Sequence, residues 1–232
     1  MKTMLGILVG LMCLVITSCN SGAADDKKWT VLFDGKDVSS WRGHNSDKFP
    51  AKGWYVQDGL LIFDPAKGSG GDIVTVNEYS DFELQLETRL SKGANTGIKY
   101  FVVESLSKGS AGLGLEYQLL DDANHPDAKA GKNGNRTFAA LYDLIAPAPE
   151  KVVKPIGEWN TIRIVSKGKT VQHWLNGKKV VEYTRDDPAF REIVAKSKYK
   201  DIPSFGLADK GRILLQDHGN LAYFRNIKIR TL

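Results

Sequence analysis

The sequence predicts an all-β protein, a two-sheet sandwich with one short helix. Apolar residues recur with period two from Trp29 onward, in short segments divided by turn signals. Two of those turns, Asp58-Gly59 and Asn176-Gly177, carry the residues that a type I′ hairpin turn requires. They join Trp54–Gln57 to Leu60–Phe63 and Val171–Leu175 to Lys178–Tyr183. The clearest strand is Phe82–Leu90, where Phe82, Leu84, Leu86 and Leu90 share a core face and Glu83, Gln85, Glu87 and Arg89 a wet one. Further strands are expected at Thr96–Val103, Leu115–Leu120, Ala139–Ile145, Thr161–Ser166, Arg212–Gln216 and Tyr223–Ile229. So many strands with one apolar face each bury those faces against one another as two sheets. The one helix runs from about Pro188 to Ala195, with proline in the first turn and Asp186 or Asp187 as cap.

The first residues set the compartment. Lys2 precedes an apolar run from Met4 to Ile16 that ends in Ile16-Thr17-Ser18-Cys19. That is the pattern of a secretory signal with a lipobox, too short to span a bilayer. The expected organisation is a lipoprotein signal peptide at 1–18, lipidated Cys19 with a polar tether to residue 28, and one domain at 29–232. The expected location is the cell envelope, lipid-anchored, at the periplasmic face or the cell surface. The only other cysteine, Cys13, lies inside the signal, so core burial and not a disulfide must stabilise the domain. The formal charge of +5 is scattered and makes no stripe for nucleic acid.

Within the domain, Glu116 and Gln118 sit two apart and project from one strand face. On a concave sheet such a pair supplies a proton acceptor beside a hydroxyl-reading amide; the same spacing also suits a solvent face. Gln216-Asp217-His218-Gly219 ends a strand, where His218 is placed for acid–base work near neutral pH and Asp217 equally for capping a turn. His173 and Trp174 point to opposite sides of their strand, so one of them leaves the core and is a site candidate. Trp41, Trp54 and Trp159 are the other rings available in the sheet region for stacking a sugar face, most of them core by pattern. The irregular stretch Asp121–Thr137 is too long for a plain connection, and His125 with Asp121, Asp122, Asn124 and Asp127 leaves divalent metal binding open, without an EF-hand spacing. The glycine run Gly68–Asp72 lacks the ending of a phosphate loop. No carboxylate pair of the usual glycosidase type is evident.

Several segments together resemble the family of exported 3-keto-disaccharide (3-keto-glycoside) hydrolase domains. They include Leu32-Phe33-Asp34-Gly35-Lys36-Asp37, Gly70-Gly71-Asp72-Ile73, Asn95-Thr96-Gly97-Ile98, Gly114-Leu115-Glu116-Tyr117-Gln118, His125-Pro126-Asp127-Ala128, Leu141-Tyr142-Asp143, His173-Trp174-Leu175-Asn176-Gly177 and Gln216-Asp217-His218-Gly219. The resemblance implies a concanavalin A-like jelly roll with its cleft on the concave sheet. It implies cleavage of glycosides that a partner oxidoreductase has first oxidised at C3, with no cofactor fixed by the motifs. On it, Glu116 is the expected base and His218 or His173 the acid. Gln118, Tyr142, Asp143, Trp174, Gln216, Asp217, His125 and Lys99 are expected around the substrate, Lys99 where subfamilies are expected to vary. The rival reading is a glycan-binding lipoprotein without catalysis, because the same sandwich hosts lectins.

Overall fold

A computed structural model describes residues 28–107 and 111–232; the expected signal peptide, Cys19 and most of the tether lie outside them. The strands are β1 (Thr30–Phe33), β2 (Trp41–Gly43), β3 (Trp54–Gln57), β4 (Leu60–Phe63), β5 (Ile73–Thr75), β6 (Phe82–Leu90), β7 (Asn95–Val102), β8 (Leu115–Leu120), β9 (Asn160–Lys167), β10 (Thr170–Leu175), β11 (Lys178–Thr184), β12 (Arg212–Leu215) and β13 (Ala222–Thr231). The helices are α1 (Asp127–Ala130) and α2 (Pro188–Ala195). Among the described residues, one sheet has eight strands in the order β11-β10-β9-β6-β13-β4-β3, with β1 added beside β13. The other has five in the order β2-β5-β12-β7-β8. This is a jelly-roll sandwich, all-β as expected.

Turn chemistry explains the hairpins. Asp58 and Gly59 have φ of 51° and 76°, and Asn176 and Gly177 have 48° and 82°, so both central residues of each turn are left-handed. The α2 cap is Asp187, whose side chain accepts from Phe190 N at 2.6 Å. Phe82, Leu84 and Leu86 of β6 meet Ile98 and Tyr100 of β7, Tyr117 and Leu119 of β8 and Leu215 in one core between the sheets.

Two expectations change. The outer face of β6 is covered rather than wet: Glu83, 3 % exposed, lies under Arg163 and Arg230, and Glu87 pairs with Arg225. Arg89 sits over the rings of Trp159 and Tyr223, so arginine planes and aromatic rings cover that surface. The segment Ala139–Ile145 is not a strand, because Ala139 and Asp143 adopt φ of 69° and 62°. It still completes the edge of β8: Ala139 N donates to Gln118 O, Gln118 N to Ala140 O and Tyr142 N to Glu116 O. That irregular pairing carries Tyr142 up beside Glu116.

His173 belongs to the core. It is fully buried, with Nδ1 donating to Ala139 O at 3.0 Å. A carbonyl only accepts, so Nε2 is the bare nitrogen; it accepts from Tyr100 Oη at 2.8 Å, and Tyr100 in turn accepts from Tyr183 Oη at 2.7 Å. Burial lowers its pKa from 6.5 to about 4. A histidine whose folded pKa lies below its unfolded value supports folding above the unfolded pKa and loses that support as pH falls toward the folded one. Stability is therefore expected to fall by roughly 3 kcal/mol between pH 6.5 and 4 on this account. Urea midpoints measured across that window check it, with His173→Leu losing this pH dependence.

Candidate active site

The site stands on the outer face of the five-stranded sheet. Strand parity sends Thr96, Ile98 and Tyr100 of β7 inward, and Asn95, Gly97 and Lys99 outward. Antiparallel pairing then sets Lys99 opposite Glu116 and Gly97 opposite Gln118. On the other side of β7, Gln216 N donates to Gly97 O, which brings the Gln216 side chain to the same face. Gly97 leaves the middle of this face without a side chain, and the Glu116 carboxylate lies across it: a Cβ there would overlap Oε1 and come within 2.9 Å of Cδ.

A cavity of about 650 Å³ opens over these strands. Lys99, Glu116, Gln118, Tyr142, Gln216 and His218 line it, as expected, together with Asn95, Lys198 and Tyr199. Its far end is apolar, with Leu106, Leu113, Ile202 and Pro203. A neighbouring cleft shares Asn95, Tyr142 and His218 and adds His125, Asp127 and Ala130. The two imidazoles of His125 and His218 stand 6.5 Å apart, centre to centre.

Glu116 is 5 % exposed, and no hydrogen bond to its carboxylate is formed among the described residues. Burial pushes its pKa up, opposed by the positive charges of Lys99 and Lys198. Lys99 Nζ donates to Gly112 O, at 3.0 Å. Behind it lies Asp72, whose carboxylate accepts from Gly112 N at 3.2 Å and Asp217 N at 2.9 Å and whose pKa burial also raises. Gln118 Nε2 donates to Asn95 Oδ1, and Gln118 Oε1 and Gln216 Oε1 are buried with no partner among the described residues. Both amides line the cavity wall, and their hydrogen-bonding capacity is not fully used within the described structure.

Four expected residues are brought to neither of these two clefts. His173 lies between the sheets. Trp174 faces the outside of the larger sheet, with Nε1 on Gln172 Oε1 and Arg163 4.6 Å from its ring. Asp143 is held by Arg136 Nε at 2.7 Å and by Lys198 N at 2.8 Å, facing a groove beyond Tyr142. The Asp217 carboxylate is taken by Ser69 Oγ at 2.7 Å and Gly71 N at 3.0 Å, which is the turn-capping role. Trp174→Ala is accordingly expected to leave kcat/KM within about twofold of wild type, since single contacts remote from a site rarely reach it; steady-state kinetics checks this.

The long loop is pinned by its own charges. Asp121 accepts from Gly93 N and Asn124, while Asp122 accepts from Phe138 N and Lys151 Nζ. Among the described residues no three His, Cys, Asp or Glu side chains converge as a metal-binding group. Asn95 was within reach of sequence reading, because it shares parity with Lys99 on the strand paired to Glu116. Lys198 and Tyr199 gave no signal: they follow α2 in a segment with no periodic pattern.

A jelly-roll sheet whose cavity holds a buried carboxylate, an ammonium and two amide side chains is the design of a carbohydrate-active protein. The comparisons identify which. A family model described as a 3-keto-alpha-glucoside-1,2-lyase-like domain matches residues 28–230, and the chain belongs to that family. A 3-keto-disaccharide hydrolase of Bacteroides thetaiotaomicron is 36 % identical over 90 % of this chain and 80 % of its own. A crystal structure of a candidate glycosyl hydrolase from Parabacteroides distasonis has 34 % identity and a TM-score of 0.77, covering 88 % of this chain and 94 % of that one. A galectin-like protein from Bacillus subtilis, at 14 % identity, TM-score 0.54 and coverage of 88 % and 94 %, shares the fold.

Proposed function

We propose that this protein cleaves glycosides whose sugar carries a ketone at C3, with Glu116 as the base that takes the C2 proton. Family membership supports glycoside cleavage. The observation that carries the finer reading is Glu116 itself: buried, bound by no donor among the described residues, raised in pKa and facing the Lys99 ammonium. A carboxylate so placed is a stronger base than one in water, and a C3 ketone makes the C2 proton acidic enough for it.

The electron count is simple. The C2–H pair moves into the C2–C3 bond, the ketone oxygen becomes an enolate, and Glu116 holds the proton. The enolate then restores the ketone, its electrons form C1=C2, and the C1–O bond breaks. His218, at the mouth of both clefts, gives a proton to the departing oxygen. Water adds its hydroxyl to C1 and passes its proton to the deprotonated His218, while C2 regains a proton from Glu116, which completes net hydrolysis and restores both groups. Lys99 faces the enolate oxygen, a preorganised charge of the kind that lowers such barriers most. Gln118 and Gln216 accept from ring hydroxyls, and Tyr142, whose hydroxyl donates to Asp127 at 2.8 Å, flanks the ring.

Because the chemistry requires a ketone, an oxidoreductase acting on the glycoside at C3 must supply the substrate. The lipobox at Cys19 supports placing the enzyme at the cell envelope, held by lipid. The test is to incubate the protein with a 3-keto-glucoside and with its unoxidised parent, and to follow aglycone release. Release from the keto compound alone is expected. Equal release from both would refute the ketone requirement, and binding without release from either would favour a glycan-binding protein.

A further inference from the structure

We propose that Lys198 is a second catalytic cation of this site, reaching the substrate's ketone oxygen together with Lys99, and that Asp143 is the positioning residue that holds Lys198 there. The inference rests on the reading of Glu116 as base. Lys198 lines the same cavity as Lys99 and Glu116, although it comes from the segment after α2 rather than from the sheet. Its Nζ lies 4.2 Å from the centre of the Tyr142 ring and 5.0 Å from that of Tyr199, and forms no ion pair among the described residues. An ammonium held on two rings keeps its N–H donors for a ligand.

The backbone beneath it is fixed from the other side. Lys198 N donates to Asp143 Oδ2 at 2.8 Å, and Asp143 Oδ1 accepts from Arg136 Nε at 2.7 Å. Arg136 also bonds Asp127 at 2.9 Å, the residue that takes the Tyr142 hydroxyl. The chain Tyr142–Asp127–Arg136–Asp143 thus sets ring and ammonium in one frame. This gives Asp143, which touches no part of the main cavity, a reason to be where it is.

Charge accounting explains why two lysines suit one carboxylate. In the resting site Glu116 is the carboxylate that acts most strongly on Lys198, and it shares the charge of Lys99 with Asp72. When it takes the C2 proton it becomes neutral, and the enolate oxygen becomes the anion in its place. The two ammoniums then serve the new charge without moving, which is the condition for electrostatic catalysis without reorganisation. The charged and titratable groups facing Glu116 are Lys99, Asp72, Lys198 and Asp127, with Tyr142, Tyr199 and His218 on the cavity wall; those facing Lys198 are Glu116, Lys99, Asp143 and Arg136.

The experiment compares Lys198→Met, Lys198→Arg, Asp143→Asn and Glu116→Gln on a 3-keto-glucoside, with pH profiles of kcat/KM. Lys198→Met is expected to lower kcat about 10²–10³-fold, the cost of losing one oxyanion donor. It should also move the acidic limb to higher pH, because Glu116 loses a cation that favours its charged form. Lys198→Arg should restore that limb. Asp143→Asn separates positioning from simple charge: losing an anion alone would move the limb down, whereas misplacing Lys198 moves it up, and an upward shift is expected. A Lys198→Met enzyme with kcat within twofold of wild type and an unmoved limb would overturn the proposal while Glu116→Gln stays inactive. Turnover by Glu116→Gln would instead remove the base, and with it this role. Melting curves of the unliganded variants give a readout apart from activity: the stability gap between Lys198→Met and Lys198→Met/Glu116→Gln should exceed that between wild type and Glu116→Gln at pH 7.

Discussion

Glu116→Gln is expected to abolish turnover and to make the protein more stable at neutral pH. The loss follows from removal of the base, a contribution of about 10²–10⁴-fold in typical proton transfers. The gain follows from burial. Glu116 has a folded pKa raised above the unfolded value, so the unfolded chain ionises first as pH rises, and this favours unfolding. Below about pH 4, near the ordinary glutamate value, both states hold the proton and the effect vanishes. Melting temperatures of wild type and variant should therefore coincide in acid and separate toward pH 7, the variant melting higher. A variant that melts lower at pH 7 would mean that the carboxylate is structural, and the case for a strained base would fall with it.

Gly97→Ala is expected to cost most of the activity and little stability. The added methyl overlaps Glu116 Oε1, and its other near neighbours, Cδ at 2.9 Å and Cγ at 3.0 Å, belong to the same side chain. That side chain ends in open cavity and can rotate away, so the strand itself need not shift. The base then leaves the position it holds between Lys99 and Gln118, and misplacement of a reacting group by about 1 Å can cost 10²-fold. Far-ultraviolet circular dichroism and melting should match wild type within a few degrees while kcat/KM falls by about that factor. Retained activity would show that the carboxylate does not work from its resting place over Gly97.

The strands were readable where local chemistry alone decides them. Asp58-Gly59 and Asn176-Gly177 dictate their turns through positive φ, β6 alternates cleanly over its whole length, and Asp187 with Pro188 starts α2 where capping rules place it. Ala139–Ile145 misled because it is a short, nearly continuous apolar run of strand length, while the positive φ of Ala139 and Asp143 is set by tertiary contacts on the β8 edge. The site was legible through parity: Glu116 with Gln118, and Lys99 across from them. His173 and Trp174 show the limit of parity. It separates the two faces of a strand, but β10 belongs to the larger sheet, whose two faces are the core and the outer arginine lattice. Asp143 and Asp217 lie close in sequence to cavity residues, yet their oxygens are taken by Arg136 and by the Gly71 backbone. Which partner a carboxylate finds across the fold has no local signal.

The central claim is proton removal at C2, and turnover of a 3-keto-glucoside in D2O tests it most directly. Elimination followed by water addition leaves deuterium on C2 of the released 3-keto sugar wherever the protonated Glu116, on the wall of the open cavity, exchanges with solvent before the proton returns. The account predicts deuterium at C2 in step with aglycone release under wild-type enzyme, measured before the free sugar exchanges by itself, and none with Glu116→Gln. Full release with protium retained at C2, together with equal kcat/KM for C2-protiated and C2-deuterated substrate, would contradict it and assign the cleavage to direct displacement at C1.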